Sequence, residues 1–391
     1  MKSFKENDKK YIANTYGRFD VEISHGSGSL VYDINGKEYI DLSSGIAVNT
    51  FGMADPVFIN AVTEQLNRCQ HTSNLYYSQP CVELATLLCQ RTGGKKVFFG
   101  NSGAEANECA IKVARLWGSE TKGEEYSTII TLKNSFHGRT ITTLSATGQD
   151  VFHKYFNPLT EGFVYAEANN LESVEALLKD NKCCAIMMEL VQGEGGVMPL
   201  DRDFVEGVSE LCGKYNVLML IDEVQTGNGR CGELYAFMDY GISPDVVSTA
   251  KGLGGGLPIG ACIMFERTEN VLKAGLHGST FGGNPIACAG AVSIINRIDD
   301  KLLSEVKEKS RYIFSQLENA EGIRSVSGKG LMIGIETEAD ASLVISKCME
   351  RGLLPIKAKN KVRLLPPLNI PMELLEKAIK IIKEVAKESI Q

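Results

Sequence analysis

The chain has 391 residues, 43% of them hydrophobic, which is material for two or three structural units around a large core. Its 41 Lys and Arg against 48 Asp and Glu leave a net charge of −7, which excludes the basic stripe of a protein that binds nucleic acid or an anionic membrane. No apolar run approaches the roughly 20 residues of a membrane span, and the opening MKSFKENDKK lacks the apolar stretch of a secretory signal. Eleven cysteines without a C-x-x-C, and five histidines without ligand spacing, argue for reduced thiols, no metal site and a cytoplasmic location.

Residues 19–42 alternate and are broken by turn signals at Gly26, Gly28 and Asn35-Gly36, which predicts a small antiparallel meander. Farther along, short apolar runs alternate with amphipathic stretches. Strands are predicted over 96–99, 128–132, 184–190, 217–221, 245–249 and 259–264, and helices over 104–117, 171–178 and 204–215. That succession is the pattern of a mainly parallel sheet with crossover helices. After about residue 300 come a long polar-faced helix, short strands over 330–335 and 362–365, and a last helix with Leu375, Ala378, Ile379, Ile382 and Ala386 on one face. The expected architecture is α/β, with a large domain over 51–295 and a smaller α+β unit built from both ends, 1–50 and 296–391.

Ligands of open α/β sheets bind beyond the carboxyl ends of the strands. Five such ends carry polar chemistry here. Ser102-Gly103-Ala104-Glu105 opens a helix with capping-box spacing, which suits a phosphate as well as an ordinary N-cap. Phe136-His137-Gly138-Arg139 offers a ring to stack and a guanidinium for a carboxylate, although singly these read as core and surface charge. Glu189 and Glu194 follow an apolar strand, as chemistry or as satisfied structural carboxylates. Asp222 ends the strand 217–221 and, if buried, needs a cationic partner. Lys251 ends a β-branched run ahead of several glycines, and a desolvated lysine is a Schiff-base nucleophile. Gly227, Gly229 and Gly232 match G-x-G-x-x-G, but five residues separate them from their strand, so a nicotinamide enzyme is the runner-up. A phosphate seat, a stacking ring, an acid for a ring nitrogen and a lysine are the parts that pyridoxal phosphate requires.

The segments NSGAEANE (101–108), SFHGRT (135–140), VQGEGG (191–196), LIDEVQTGNGR (220–230), TAKGLGGG (249–256) and HGSTFGGNP (277–285) carry a resemblance that runs from about Tyr16 to Pro367. With them the chain resembles the class III, ornithine-type aminotransferases of fold type I. The resemblance implies pyridoxal 5′-phosphate as cofactor, with Ser102, Gly103 and Ala104 around the phosphate and Phe136 on the ring. It implies Asp222 at the ring nitrogen, Gln225 at the ring hydroxyl, and Lys251 as Schiff-base lysine and general base. Arg139 would grip a substrate carboxylate. Ser279 and Thr280 would come from the other subunit of a homodimer with shared sites, Thr280 reaching the phosphate. Glu194 and Arg363 would pair as a gate, closed for the amine donor and open for the second carboxylate of glutamate or 2-oxoglutarate.

Two departures from the family pattern fall away from these residues, Gly52-Met53-Ala54-Asp55-Pro56 without its usual histidines and Glu189-Leu190 in place of Glu-Pro. Altered local packing and intact chemistry are expected from both. Ornithine-specific members tend to carry an aromatic near position 45, where this chain has Gly45, leaving space for an acylated substrate. The implied reaction is ping-pong transfer of the δ-amino group of N-acetylornithine to 2-oxoglutarate, a step of arginine biosynthesis. Ornithine, succinylornithine, succinyl-diaminopimelate and 4-aminobutyrate are alternative donors, and an aminomutase or a non-catalytic binding protein are alternative functions.

Overall fold

Seven strands build the central sheet of the computed structural model, which describes residues 4–390. Met1 to Ser3, part of the segment read for a secretory signal, lie outside the described residues. The strands are β1 (Lys96–Gly100), β2 (Thr128–Leu132), β3 (Phe163–Ala166), β4 (Cys183–Met188), β5 (Leu218–Asp222), β6 (Val246–Thr249) and β7 (Gly260–Met264). Their spatial order is β1-β7-β6-β5-β4-β2-β3, parallel throughout except that β7 runs against both β1 and β6. The carboxyl ends of β1, β2, β4, β5 and β6 therefore open on one edge, together with the start of β7.

The sheet is buried on both faces, which is why β4, β5 and β6 read as unbroken apolar runs rather than alternation. Helix Gly103–Lys122 packs on one face through Ala106, Ala110, Val113, Ala114 and Trp117. It runs five residues past its predicted end. Gly118, the first residue past that end, is a contact point: a Cβ there would lie 2.2 Å from the Tyr126 carbonyl oxygen and 2.6 Å from Cys184 Cβ. Strand β4 stops two residues short of the predicted 190, because Glu189 turns its carboxylate to backbone N–H groups and Val191–Gln192 begins a small hairpin with Met198–Pro199.

The predicted meander is present as Ile23–Ser27, Leu30–Asp33 and Glu38–Asp41, and Leu353–Leu354 adds to it in parallel, joining the two chain ends. A second sheet orders Ile323–Lys329, Met332–Thr337, Lys361–Leu364 and Ile356–Ala358, all antiparallel. The last helix, Met372–Glu388, buries Leu375, Ala378, Ile379, Ile382, Val385 and Ala386. No helix among the described residues is long and apolar enough to cross a membrane. The altered 52–56 segment is a strut: Asp55 caps helix Pro56–Arg68 and pairs with Arg297 at 2.6 Å, while Met53 and Gly28 exchange backbone hydrogen bonds.

Behind the sheet edge, the fully buried Glu223 accepts hydrogen bonds from the Phe237 N–H at 2.8 Å and from the Thr226 hydroxyl. Burial pushes its carboxyl up to about 7. The unfolded chain gives up that proton near the ordinary glutamate value, so the folded state binds more protons in between and stability falls as pH rises through that window. The full effect is about 3 kcal/mol. Glu223→Gln keeps the shape and removes the ionisation. Its melting temperature relative to the parent should shift upward by a few degrees between pH 5 and pH 8, and an unchanged difference would contradict the assignment.

Candidate active site

The sheet edge opens into a cavity of about 430 Å³, lined among others by Ser102, Gly103, Ala104, Phe136, Arg139, Asp222, Gln225 and Lys251, to which the family resemblance gives roles, and by Glu189. Ser102 caps its helix by accepting the Glu105 N–H at 3.2 Å, and Glu105 returns to the Asn101 N–H at 2.8 Å. The first-turn N–H groups of Gly103 and Ala104 are of the kind a helix leaves without internal acceptors, so this rim is a ready seat for a phosphate.

Asp222 does find partners, but not the neighbouring lysine. Its Oδ2 accepts from His137 Nδ1 and from Asn107 Nδ2, both at 2.8 Å, and its Oδ1 accepts the Val224 N–H at 3.0 Å. Burial alone would depress the His137 imidazole, yet the hydrogen bond and charge of Asp222 outweigh it and raise the pKa. The partner that a buried Asp222 calls for is therefore a histidine from the SFHGRT segment. Asn107, which also donates to the His137 carbonyl at 2.7 Å, ties the helix to that loop. Sequence reasoning gave neither residue a role, although both stand inside the quoted motifs.

Asp222 and Lys251 follow adjacent parallel strands, with Asp222 in register with Ser248. Lys251 adopts φ 45°, left-handed for a non-glycine residue, and the Thr50 hydroxyl holds the turn through Gly252 O at 2.8 Å. Burial lowers the Lys251 pKa, with Glu194, Asp222 and Glu189 pulling the other way. On the cavity wall, Val48 follows four successive left-handed residues, Ser44, Gly45, Ile46 and Ala47, a conformation that is rare in L-residues outside glycine. Asp41 braces this turn by accepting the Ser43 and Ser44 N–H groups, each at 2.9 Å.

Glu189 accepts the N–H of Phe136 at 2.8 Å and that of Gly193 at 3.2 Å, and burial pushes its carboxyl up to about 7. Beside the cavity, Glu194 pairs with Arg363 at 2.6 Å, and Arg363 also donates to Gln225 Oε1 at 3.1 Å. Burial would raise the Glu194 carboxyl, but the guanidinium outweighs it and holds the pKa below the usual range. Neither Ser279 nor Thr280 lines the cavity. Ser279 Oγ accepts from Asn101 Nδ2 at 3.2 Å, and Thr280 is exposed. The glycines of the 227–232 segment are packed against protein: a Cβ at Gly227 would meet the Tyr235 ring at 2.7 Å and one at Gly229 would meet Leu368 at 2.7 Å, and Arg230 donates to Leu331 O and Pro366 O.

This donor set fits pyridoxal 5′-phosphate. The edge of Asp222 is set by two buried donors, His137 Nε2 and Asn107 Oδ1 are buried polar atoms without protein partners, and an amine, a flat ring and a helix N-terminus face one space.

Comparison with known proteins agrees. The family model described as aminotransferase class-III matches residues 11–386. The acetylornithine aminotransferase of Haemophilus ducreyi is 46% identical over 386 residues, 98% of each chain. That of Aquifex aeolicus is 45% identical over 378 residues, 96% of this chain and 99% of its own. Among solved structures, the ornithine aminotransferase of Toxoplasma gondii ME49 superposes with a TM-score of 0.95 at 32% identity, covering 99% of this chain and 95% of its own. The acetylornithine aminotransferase of Elizabethkingia anophelis gives 0.90 at 34% identity, covering 98% of both. A family model spanning almost the whole chain, and relatives matched end to end, establish that the chain belongs to the class III aminotransferases, enzymes that work with pyridoxal 5′-phosphate.

Proposed function

We propose that this enzyme transfers the δ-amino group of N-acetylornithine to 2-oxoglutarate, giving N-acetylglutamate semialdehyde and glutamate, a reading supported by curated relatives named acetylornithine aminotransferase. The observation that carries the chemistry is Asp222 and Lys251 at the ends of adjacent strands, facing one cavity with Phe136 and Arg139. Pyridoxal phosphate, when bound, supplies the electron sink for charge that develops at the substrate carbon. Lys251 would hold its aldehyde carbon, Asp222 its ring nitrogen, Phe136 its ring face, Gln225 its hydroxyl, and Ser102, Gly103 and Ala104 its phosphate. Lys251 Nζ, whose pKa burial lowers, is the base that takes the proton from the donor's δ-carbon and delivers one to the acceptor's α-carbon. The His137 and Asn107 contacts fix the orientation of the Asp222 carboxylate.

Arg139 is the grip for the carboxylate at the far end of the donor. With Glu194 and Arg363 paired, the space beside Gln225 carries no net charge and suits the amine donor; parting the pair frees Arg363 for the second carboxylate of the acceptor. A Cβ added at Gly45 would meet nothing closer than Asn49 Nδ2 at 3.6 Å, and the small residue at this position is what favours an acylated donor. A homodimer is supported by the exposed Leu75, Tyr76, Tyr77 and Phe281 around the Thr280 loop, an apolar surface suited to a second copy, to whose phosphate seat Thr280 would reach. We further propose that the large domain spans 51–295 and that the enzyme works in the cytoplasm.

Leaving out 2-oxoglutarate separates this reading from an aminomutase. Without the acceptor, product formation from N-acetylornithine should stop after one equivalent per active site; continued turnover would contradict aminotransfer.

A further inference from the structure

Arg139 lines the cavity, and among the described residues it has no ion pair. Its contacts are aromatic. The guanidinium carbon stands 4.4 Å from the ring centroid of Phe152 and 5.4 Å from that of Phe136, and the two rings meet edge to face at 5.8 Å. Phe136 faces the cavity, whereas Phe152 does not line it and stands behind Arg139. Phe152 is held in place by the loop that carries the other two residues. Gln149 Nε2 donates to Ser135 O at 2.9 Å, Gly148 N to Ser135 Oγ at 3.0 Å, and Asn134 N to Gly148 O at 2.7 Å. On the far side, His153 Nε2 meets Leu144 O at 2.9 Å. Phe152 is half-buried in this frame, while its neighbours Val151, Tyr155 and Phe156 are exposed.

A ring attracts a guanidinium through its face and leaves the N–H fork along the edge free to donate. An arginine held in this way has already lost much of the rotamer freedom that gripping an anion would otherwise remove. We propose that Phe152 is a positioning residue for substrate recognition: with Phe136 it brackets the Arg139 guanidinium, so that an incoming carboxylate meets an arginine already oriented over the cavity. The inference rests on the reading of Arg139 as the carboxylate grip.

The test compares Phe152→Leu, which keeps bulk and removes the π face, with Phe152→Tyr, which keeps the face, and with Arg139→Lys. Single-turnover half-reactions give a half-saturation concentration and a limiting rate for N-acetylornithine and for 2-oxoglutarate. The unreactive dicarboxylate glutarate gives a dissociation constant by calorimetry on the holoenzyme. Phe152→Leu should raise all three concentration terms about five-fold, equivalent to about 1 kcal/mol, with limiting rates within about two-fold. Phe152→Tyr should restore parental values, and Phe152→Leu should add nothing on an Arg139→Lys background. If Arg139→Lys weakens binding while Phe152→Leu does not, or if Phe152→Leu lowers rates without changing binding, the positioning role is overturned and the grip reading stands. If Arg139→Lys itself leaves binding unchanged, the grip reading falls and this inference falls with it.

Discussion

Lys251→Ala should lose steady-state transamination by at least about 10⁴-fold, because on the proposed roles one side chain is both the amine that holds the cofactor aldehyde and the base that moves the proton; base catalysis alone is worth about 10²–10⁴. The fold should survive. The side chain reaches into the cavity, so truncation opens no closed void, and the left-handed backbone there is already occupied by a residue with a Cβ. The Thr50 bond to Gly252 O, which holds the turn, is untouched. A melting temperature near the parent's with turnover at background is the expected pair of results. Transamination above about 1% of the parent rate would contradict Lys251 as the central residue.

Arg363→Ala should divide the two half-reactions. The guanidinium donates to Glu194 and Gln225 and is almost wholly buried, in register with Gly334 and Ile356 on the strands either side. In the 2-oxoglutarate half it would meet the second carboxylate, and two charge-assisted hydrogen bonds there are worth about 3 kcal/mol, or roughly 10²-fold in efficiency. In the amine half the arginine only neutralises Glu194. Its removal leaves that carboxyl to burial, which raises the pKa and returns it toward the neutral form. A loss of about 10²-fold with 2-oxoglutarate and only a few-fold with N-acetylornithine is expected in single-turnover traces. Equal losses in both would rule out the gate.

The polar strand ends were legible because buried parallel strands are unmistakable apolar runs, and the residue that breaks such a run stands at the sheet edge. That logic reached Asp222, Lys251 and the Ser102 cap without any knowledge of packing. It missed what depends on a second element. His137 and Asn107 matter because a loop and a helix converge on Asp222, a meeting that spacing along the chain does not encode. Strand Ile323–Lys329 escaped because it is mostly polar and half-exposed, with no alternation to detect. The helix runs on past 117 through Gly118, whose use as a contact point shows only once the approach of Tyr126 and Cys184 is seen. The left-handed turn at 44–47 has no sequence signal at all, since Ile46 is among the residues least suited to φ 67°. Phe152 lies outside every recognised motif and gains meaning only from the guanidinium beside it.

The most direct test of the central claim is the visible absorbance of the enzyme reconstituted with pyridoxal phosphate, followed as N-acetylornithine and, separately, ornithine are added without an acceptor. The account predicts a yellow band that bleaches at least about ten-fold faster with N-acetylornithine and returns when 2-oxoglutarate is supplied. A band that bleaches only with ornithine would overturn the substrate. A protein that takes up no chromophore would contradict the roles given to Lys251 and Asp222.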